Sequence, residues 1–99
     1  MNFSSHNLKK LELLIKEAGY ELRYEKGSFN SGYCIIQDKQ VIVINKYFTP
    51  EVRFNKILDL IPQILSNFKP IKTEASKKML QKIIELHQYV NTIPFDEYK

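Results

Sequence analysis

The sequence predicts an α+β fold: an N-terminal helix, a three-stranded antiparallel meander and two C-terminal helices. Three observations predict it. The run Tyr33–Asn45 is the most apolar and β-branched part of the chain and breaks once, at Gln37-Asp38-Lys39-Gln40, which reads as two strands and a turn. Tyr20 to Lys26 alternates apolar and charged residues, the period of a strand with one wet face. Apolar residues at helical spacing occupy the segments on both sides of these strands. With 99 residues there is room for one domain, residues 1–99, with 92–99 as a tail. A chain of this length buries roughly 60–70% of its unfolded surface, enough for one core without staples.

The first helix is expected from a Ser4 or Ser5 cap to about Ala18. Leu8, Leu11, Ile15 and Ala18 make its stripe, with Leu14 beside it, and Glu12 and Lys16 stand as an i,i+4 pair on the wet side. Gly19 stands where a left-handed C-terminal cap belongs. In the next strand Tyr20, Leu22 and Tyr24 point one way and Glu21, Arg23 and Glu25 the other. Those charges suit a sheet edge.

The loop from Gly27 to Gly32 follows, with Phe29 as an aromatic among polar neighbours. It serves either as a plug on the core or as an exposed contact at a binding surface. If Asp38 and Lys39 form the turn of the hairpin, Ile36 faces Val41, Cys34 faces Val43 and Ile35 faces Ile42. Both faces of the hairpin are then apolar, so cover is expected on both sides. A strictly followed meander makes Val41–Asn45 an outer strand, and it carries no charge to discourage pairing.

Thr49-Pro50-Glu51 marks a helix start, with Thr as cap and Pro at the first helical position. Phe54, Ile57, Leu58, Ile61, Leu65 and Phe68 form its stripe, and Pro62 predicts a kink or break. Lys69 is positioned to neutralise its negative end. Thr73 caps a last helix from Glu74 to about Asn91, with Ala75, Met79, Ile83, Leu86 and Val90 in its stripe, widened by Leu80 and Ile84. The tail holds Ile93, Phe95 and Tyr98, positioned to dock on the domain or touch a partner.

Composition narrows the chemistry. The net charge of +4 comes almost wholly from dispersed lysines, which reads as a solvated basic surface. The cluster Lys69, Lys72, Lys77, Lys78 and Lys82 lacks arginine and interleaved aromatics, so nucleic acid is not the expected partner. The one cysteine, Cys34, excludes an intrachain disulfide. In an apolar strand it reads as buried and inert. His6 and His87 have no second ligand at helical spacing, so neither a metal nor any other cofactor is expected. No apolar run approaches the ~20 residues that span a membrane, and the N-terminus lacks the basic and apolar regions of a signal peptide. Cytoplasmic residence is therefore the default expectation.

One pattern extends this reading. Gly32-Tyr33-Cys34, Val41-Ile42-Val43-Ile44-Asn45 and Thr49-Pro50-Glu51-Val52-Arg53-Phe54 resemble the approach to the active helix in zincin-like peptidases of the ImmA/IrrE type. In that family a hairpin ending in Ile-Asn or Val-Asn leads to a Ser/Thr-Pro-Glu helix start, then Arg-Phe, then His-Glu-x-x-His. In register, Leu58 and Pro62 stand where the zinc ligands would be, and Asp59 where the general base would be. The layout Tyr24-Glu25-Lys26-Gly27, Gly32-Tyr33-Cys34 and Val43-Ile44-Asn45-Lys46 is also similar to small bacterial proteins to which no activity is assigned. The resemblance implies a zincin-like scaffold without peptidase chemistry, whose groove lay between an edge strand and the helix starting at Pro50.

The expected function is thus a non-enzymatic protein-interaction module. Its partner is another protein or a second copy, met through the sheet edge Val41–Asn45, with the chain's own tail, through Ile93 and Phe95, as the third occupant that edge could take. Phe29, Tyr33, Val41, Val43, Asn45 and Arg53 are the candidate binding residues. The alternatives are a small-ligand or nucleic-acid-binding module, and a hydrolase with an unrecognised site.

Overall fold

The computed structural model describes residues 1–26 and 33–92, with side chains as far as 86. Phe29 and the tail residues Ile93, Phe95 and Tyr98 lie outside the described residues. The elements are α1 (Ser5–Glu17), β1 (Glu21–Glu25), β2 (Tyr33–Ile36), β3 (Val41–Asn45), α2 (Pro50–Ile64) and α3 (Glu74–Thr92). Short 3-10 turns occupy Gln37–Lys39 and Leu65–Asn67.

Helix α1 starts where Ser4 Oγ accepts the Asn7 amide at 2.9 Å. It ends in a Schellman motif. The Gly19 amide donates to Lys16 O and the Tyr20 amide to Ile15 O, each at 3.1 Å. Gly19 has φ +97°, and a Cβ there would meet Lys69 Cδ at 2.8 Å, so both conformation and space call for glycine. Lys69, expected to serve the end of α2, lies across the end of α1, where its amide donates to Ala18 O at 2.9 Å.

The sheet departs from the expected meander. Its order is β1-β3-β2, with β1 parallel to β3 and β2 antiparallel to it. The hairpin register is the one read from the turn, Ile36 opposite Val41 and Cys34 opposite Val43. β1 joins the far side of β3, with Leu22 beside Ile42 and Tyr24 beside Ile44. The Glu21 amide donates to Gln40 O at 2.9 Å and the Lys46 amide to Glu25 O at 3.0 Å, pinning both ends of that parallel pair. β3 is therefore the central strand, and the expected pairing of Val41–Asn45 with a partner through a free edge is not available. The physical reason is burial. β3 is uncharged and one residue longer than β2, and in the centre its Ile42 and Ile44 become inaccessible while its backbone is paired on both sides. β1, with three exposed charged residues, takes an edge.

The helices pack on one face of this sheet. Ile42 and Ile44 share a core with Leu11, Leu14 and Ile15 of α1, with Phe54, Ile57, Leu60, Ile61 and Ile64 of α2, and with Met79 and Ile83 of α3. The other face carries Cys34, Ile36, Glu21, Arg23 and Glu25, all exposed, around Val41 and Val43, which are 5% and 6% exposed. The expected cover on this face reaches Val41 and Val43 but not Cys34 or Ile36, so the expectation of a buried Cys34 is corrected: its thiol is exposed. Arg23 pairs with Glu21 on this face at 3.0 Å, an exposed contact worth about 0–1 kcal/mol.

Thr49 caps α2 through its Oγ1, which accepts the Val52 amide at 3.3 Å. The helix runs past Pro62 to Ile64 before giving way to the 3-10 turn. The expected break is deferred by two residues because Leu60, Ile61 and Ile64 are buried and hold the last turn in the core. Leu58, placed in the stripe by spacing, is only half-buried. Phe3 packs edge-on against Phe54, with ring centroids 5.8 Å apart.

The joint between α1 and α3 is polar. Glu17, the last residue of α1, takes four donors from the start of α3. They are the Lys72 and Thr73 amides at 3.1 and 2.8 Å, Thr73 Oγ1 at 2.8 Å and Ser76 Oγ at 2.6 Å. The Ser76 hydroxyl and the Thr73 amide are the main causes that lower its pKa from 4.5 to about 2. A carboxylate here also faces the positive end of α3.

Two outcomes are expected. Phe54→Ala, which empties a fully buried site, costs about 3–5 kcal/mol in denaturant unfolding. Because the folded pKa of Glu17 is depressed, its contribution is fully present above pH ~4.5 and is lost as pH falls towards 2. Glu17→Gln lowers the melting midpoint at neutral pH and flattens its decline across that acid window, as read by circular dichroism melts.

Candidate functional site

Of the six expected binding residues, Phe29 lies outside the described residues, and the other five take part in strand pairing, packing and a turn. Tyr33 stands on the edge strand β2, and its hydroxyl accepts from Gln63 Nε2 at 2.8 Å. Val41 and Val43 are buried in the central strand. Asn45 ends that strand, where its Oδ1 accepts the Tyr47 amide at 3.0 Å and shapes the turn into α2. Arg53 lies in the first turns of α2. Its Nη2 donates to Lys46 O at 2.6 Å and its guanidinium lies 4.4 Å from the Tyr24 ring centroid.

Arg53 belongs to a chain of contacts that joins α1, β1 and α2. The Tyr24 hydroxyl donates to Glu12 Oε2 in a short hydrogen bond. Burial, reinforced by that carboxylate, pushes the Tyr24 hydroxyl well above its ordinary pKa. Glu12 is therefore half-buried and holds Tyr24, rather than standing on a wet face with Lys16 as its spacing suggested. Arg53 covers the other side of the ring, and its Nε is buried with no hydrogen-bond partner, held by stacking on the aromatic face. These contacts fix three elements to one another and are structural.

A concavity lies elsewhere, between α1 and α3. This groove of about 770 Å³ is lined by Met1, Asn2, Asn7 and Lys10 on one side and by Ala75, Lys78, Met79, Lys82, Glu85 and Leu86 on the other. Its origin is an apolar stripe on α3 that is wider than its cover. Spacing assigned Ala75, Met79, Ile83 and Leu86 to one buried face. The structure buries Ser76, Met79 and Ile83 and leaves Ala75 and Leu86 exposed, Leu86 at 46%. The helix is rotated towards Ser76 because that hydroxyl is bound by Glu17. Above the apolar floor stand Lys10, half-buried, and the exposed Lys78 and Lys82. None of the three forms an ion pair among the described residues, whereas Lys77 pairs with Glu74 at 3.6 Å. Glu85, also at the rim, accepts from Gln81 Nε2 at 3.0 Å.

Spacing groups Lys78 and Lys82 with other lysines and places Met79 and Leu86 in the α3 stripe. What it lacked was Lys10, which reaches the same rim only because α1 and α3 pack together. Leu58 and Pro62, the residues that the resemblance would put in place of zinc ligands, are half-buried, and Asp59 is exposed. Among the described residues no group of three or more His, Cys, Asp or Glu gathers, and no helix is long and apolar enough to cross a membrane. No family model, curated protein or solved structure matches this chain.

Tyr24→Phe removes the hydroxyl that satisfies the half-buried Glu12 carboxylate. The expected loss is about 1.5 kcal/mol, measured by urea unfolding, with the α1–α3 groove unchanged.

Proposed function

We propose that the chain acts by binding, as a non-enzymatic protein-interaction module, with the α1–α3 groove as its contact surface. The observation that carries this is the excess width of the α3 stripe: Ala75 and Leu86 are apolar, exposed and placed in a concavity. Uncovered apolar surface in a groove with a polar rim is the usual form of a docking site. The polar side chains of its described lining are Asn2, Asn7, Lys10, Lys78, Lys82 and Glu85, none of them buried, rather than a convergent buried set, which favours a segment of a macromolecule over a small ligand. A zincin-like scaffold agrees with this reading if Leu58 and Pro62 serve packing in place of metal binding. A cytoplasmic setting, where the exposed Cys34 stays a thiol, belongs to the same proposal.

Site-specific photo-crosslinking decides the surface. A photoreactive residue at Leu86 or Ala75 is expected to capture a partner protein in cell extract, and one at Asp38, in the β2–β3 turn, is not. Leu86→Asp should abolish the capture made from Ala75. Equal capture from Asp38, or capture that survives Leu86→Asp, overturns the groove as the contact surface.

A further inference from the structure

With the α1–α3 groove as the contact surface, a reading on which the identity of the occupant rests, its lining specifies the chemistry of what it binds. We propose that it takes an acidic amphipathic α-helix from a partner protein.

Charge is the first ground. Lys10 stands on the α1 wall and Lys78 and Lys82 on the α3 wall, and among the described lining residues these three lysines face one carboxylate, that of Glu85. The three lysines lack ion pairs among the described residues, so a partner carboxylate meets a cation that is not already neutralised. Lys78 and Lys82 are one helical turn apart, about 6 Å along the axis. Carboxylates four residues apart on a helix laid along α3 have that same spacing.

Shape is the second ground. From Ala75 to Leu86 the floor extends about three helical turns, ~16 Å. Its walls are two helices, whose interior backbone groups are already paired. An extended segment buried there would find no ladder for its own amides and carbonyls, whereas a helix satisfies them internally. Apolar residues at i, i+3, i+4 and i+7 of the occupant would rest on Met79 and Leu86, with its carboxylates towards the lysines.

The same features disfavour the other partners a basic groove suggests. Among the described residues no aromatic side chain lines it, so they offer unpaired bases no stacking platform. A flat bilayer does not fill a concavity between two helices.

The test uses fluorescence anisotropy with the full chain and two labelled helical peptides of about three turns. Both carry leucines at i, i+3, i+4 and i+7. One is flanked by glutamates and the other by glutamines. The glutamate peptide is expected to bind about tenfold more tightly at low salt, and the preference to shrink as salt rises to ~150 mM. The exposed pair Lys78→Glu and Lys82→Glu should erase the preference with an unchanged circular dichroism spectrum; salt dependence on the wild-type chain serves if that variant misfolds. Equal binding of the two peptides overturns the acidic occupant but leaves the groove as contact surface. Binding of neither, with cross-linking still mapping to Leu86, overturns the helical occupant alone. Loss of both signals removes the groove reading itself. Lysine-dependent binding to vesicles with ~30% anionic lipid, without peptide binding, assigns the charge to a membrane surface and overturns the proposal.

Discussion

The Glu17 carboxylate is the contact on which the arrangement of the helices depends. Of the described side chains of α3, only Ser76, Met79 and Ile83 are buried. Apolar packing with so few residues leaves the rotation of a helix weakly specified, because a stripe that includes Ala75, Leu80 and Leu86 offers several nearly equivalent faces. Glu17 removes that freedom. It accepts from two backbone amides and two hydroxyls at the start of α3, a directional set that one rotation of the helix satisfies. The carboxylate is disfavoured at the negative end of α1 and favoured at the positive end of α3, so its position makes sense only across the two elements. The consequence reaches the surface. With Ser76 turned inward, Ala75 and Leu86 turn outward, and the groove exists.

A second constraint is the central place of β3. Placing the most apolar strand between two others removes its backbone from competition with outside chains and moves the exposed edges to β1 and β2. It also joins residues far apart in sequence. Tyr24 comes beside Ile44, within reach of Glu12 from α1 and Arg53 from α2. The β1 face that looks towards the helices is thus bolted by a hydrogen bond and a cation–π contact, while its other face carries solvated charge. The helix layer and sheet form a frame, and the surface proposed to work lies on the helix side, away from the strand that pattern alone had favoured.

Local signals were legible in the chain. Ser4 and Thr49 as caps, Pro50 at the first helical position, Gly19 with positive φ and the β2–β3 register all follow from interactions within a few residues. Such contacts are specified by residue type and spacing, because the groups that meet are already held near one another by the chain. The candidate site was legible in pieces, the α3 stripe and the Lys78–Lys82 pair, but without the α1 wall that makes them a groove.

What the tertiary structure alone decided were choices among arrangements that local energetics treats as nearly equal. Either order of three strands pairs their backbones. β1 took its place beside β3 because that buries Ile42 and Ile44 under the helices and leaves Glu21, Arg23 and Glu25 in water. Cys34, apolar by neighbourhood, is exposed because the described helices gather on the opposite face. α3 could bury Ala75 or Ser76, and the polar residue went inside because Glu17, nearly sixty positions earlier, supplies the oxygen its hydroxyl requires. Helix ends and hairpin register are settled by neighbours in the chain, whereas strand order, helix rotation and the groove are settled by total burial and polar satisfaction over the whole molecule, which no local window contains.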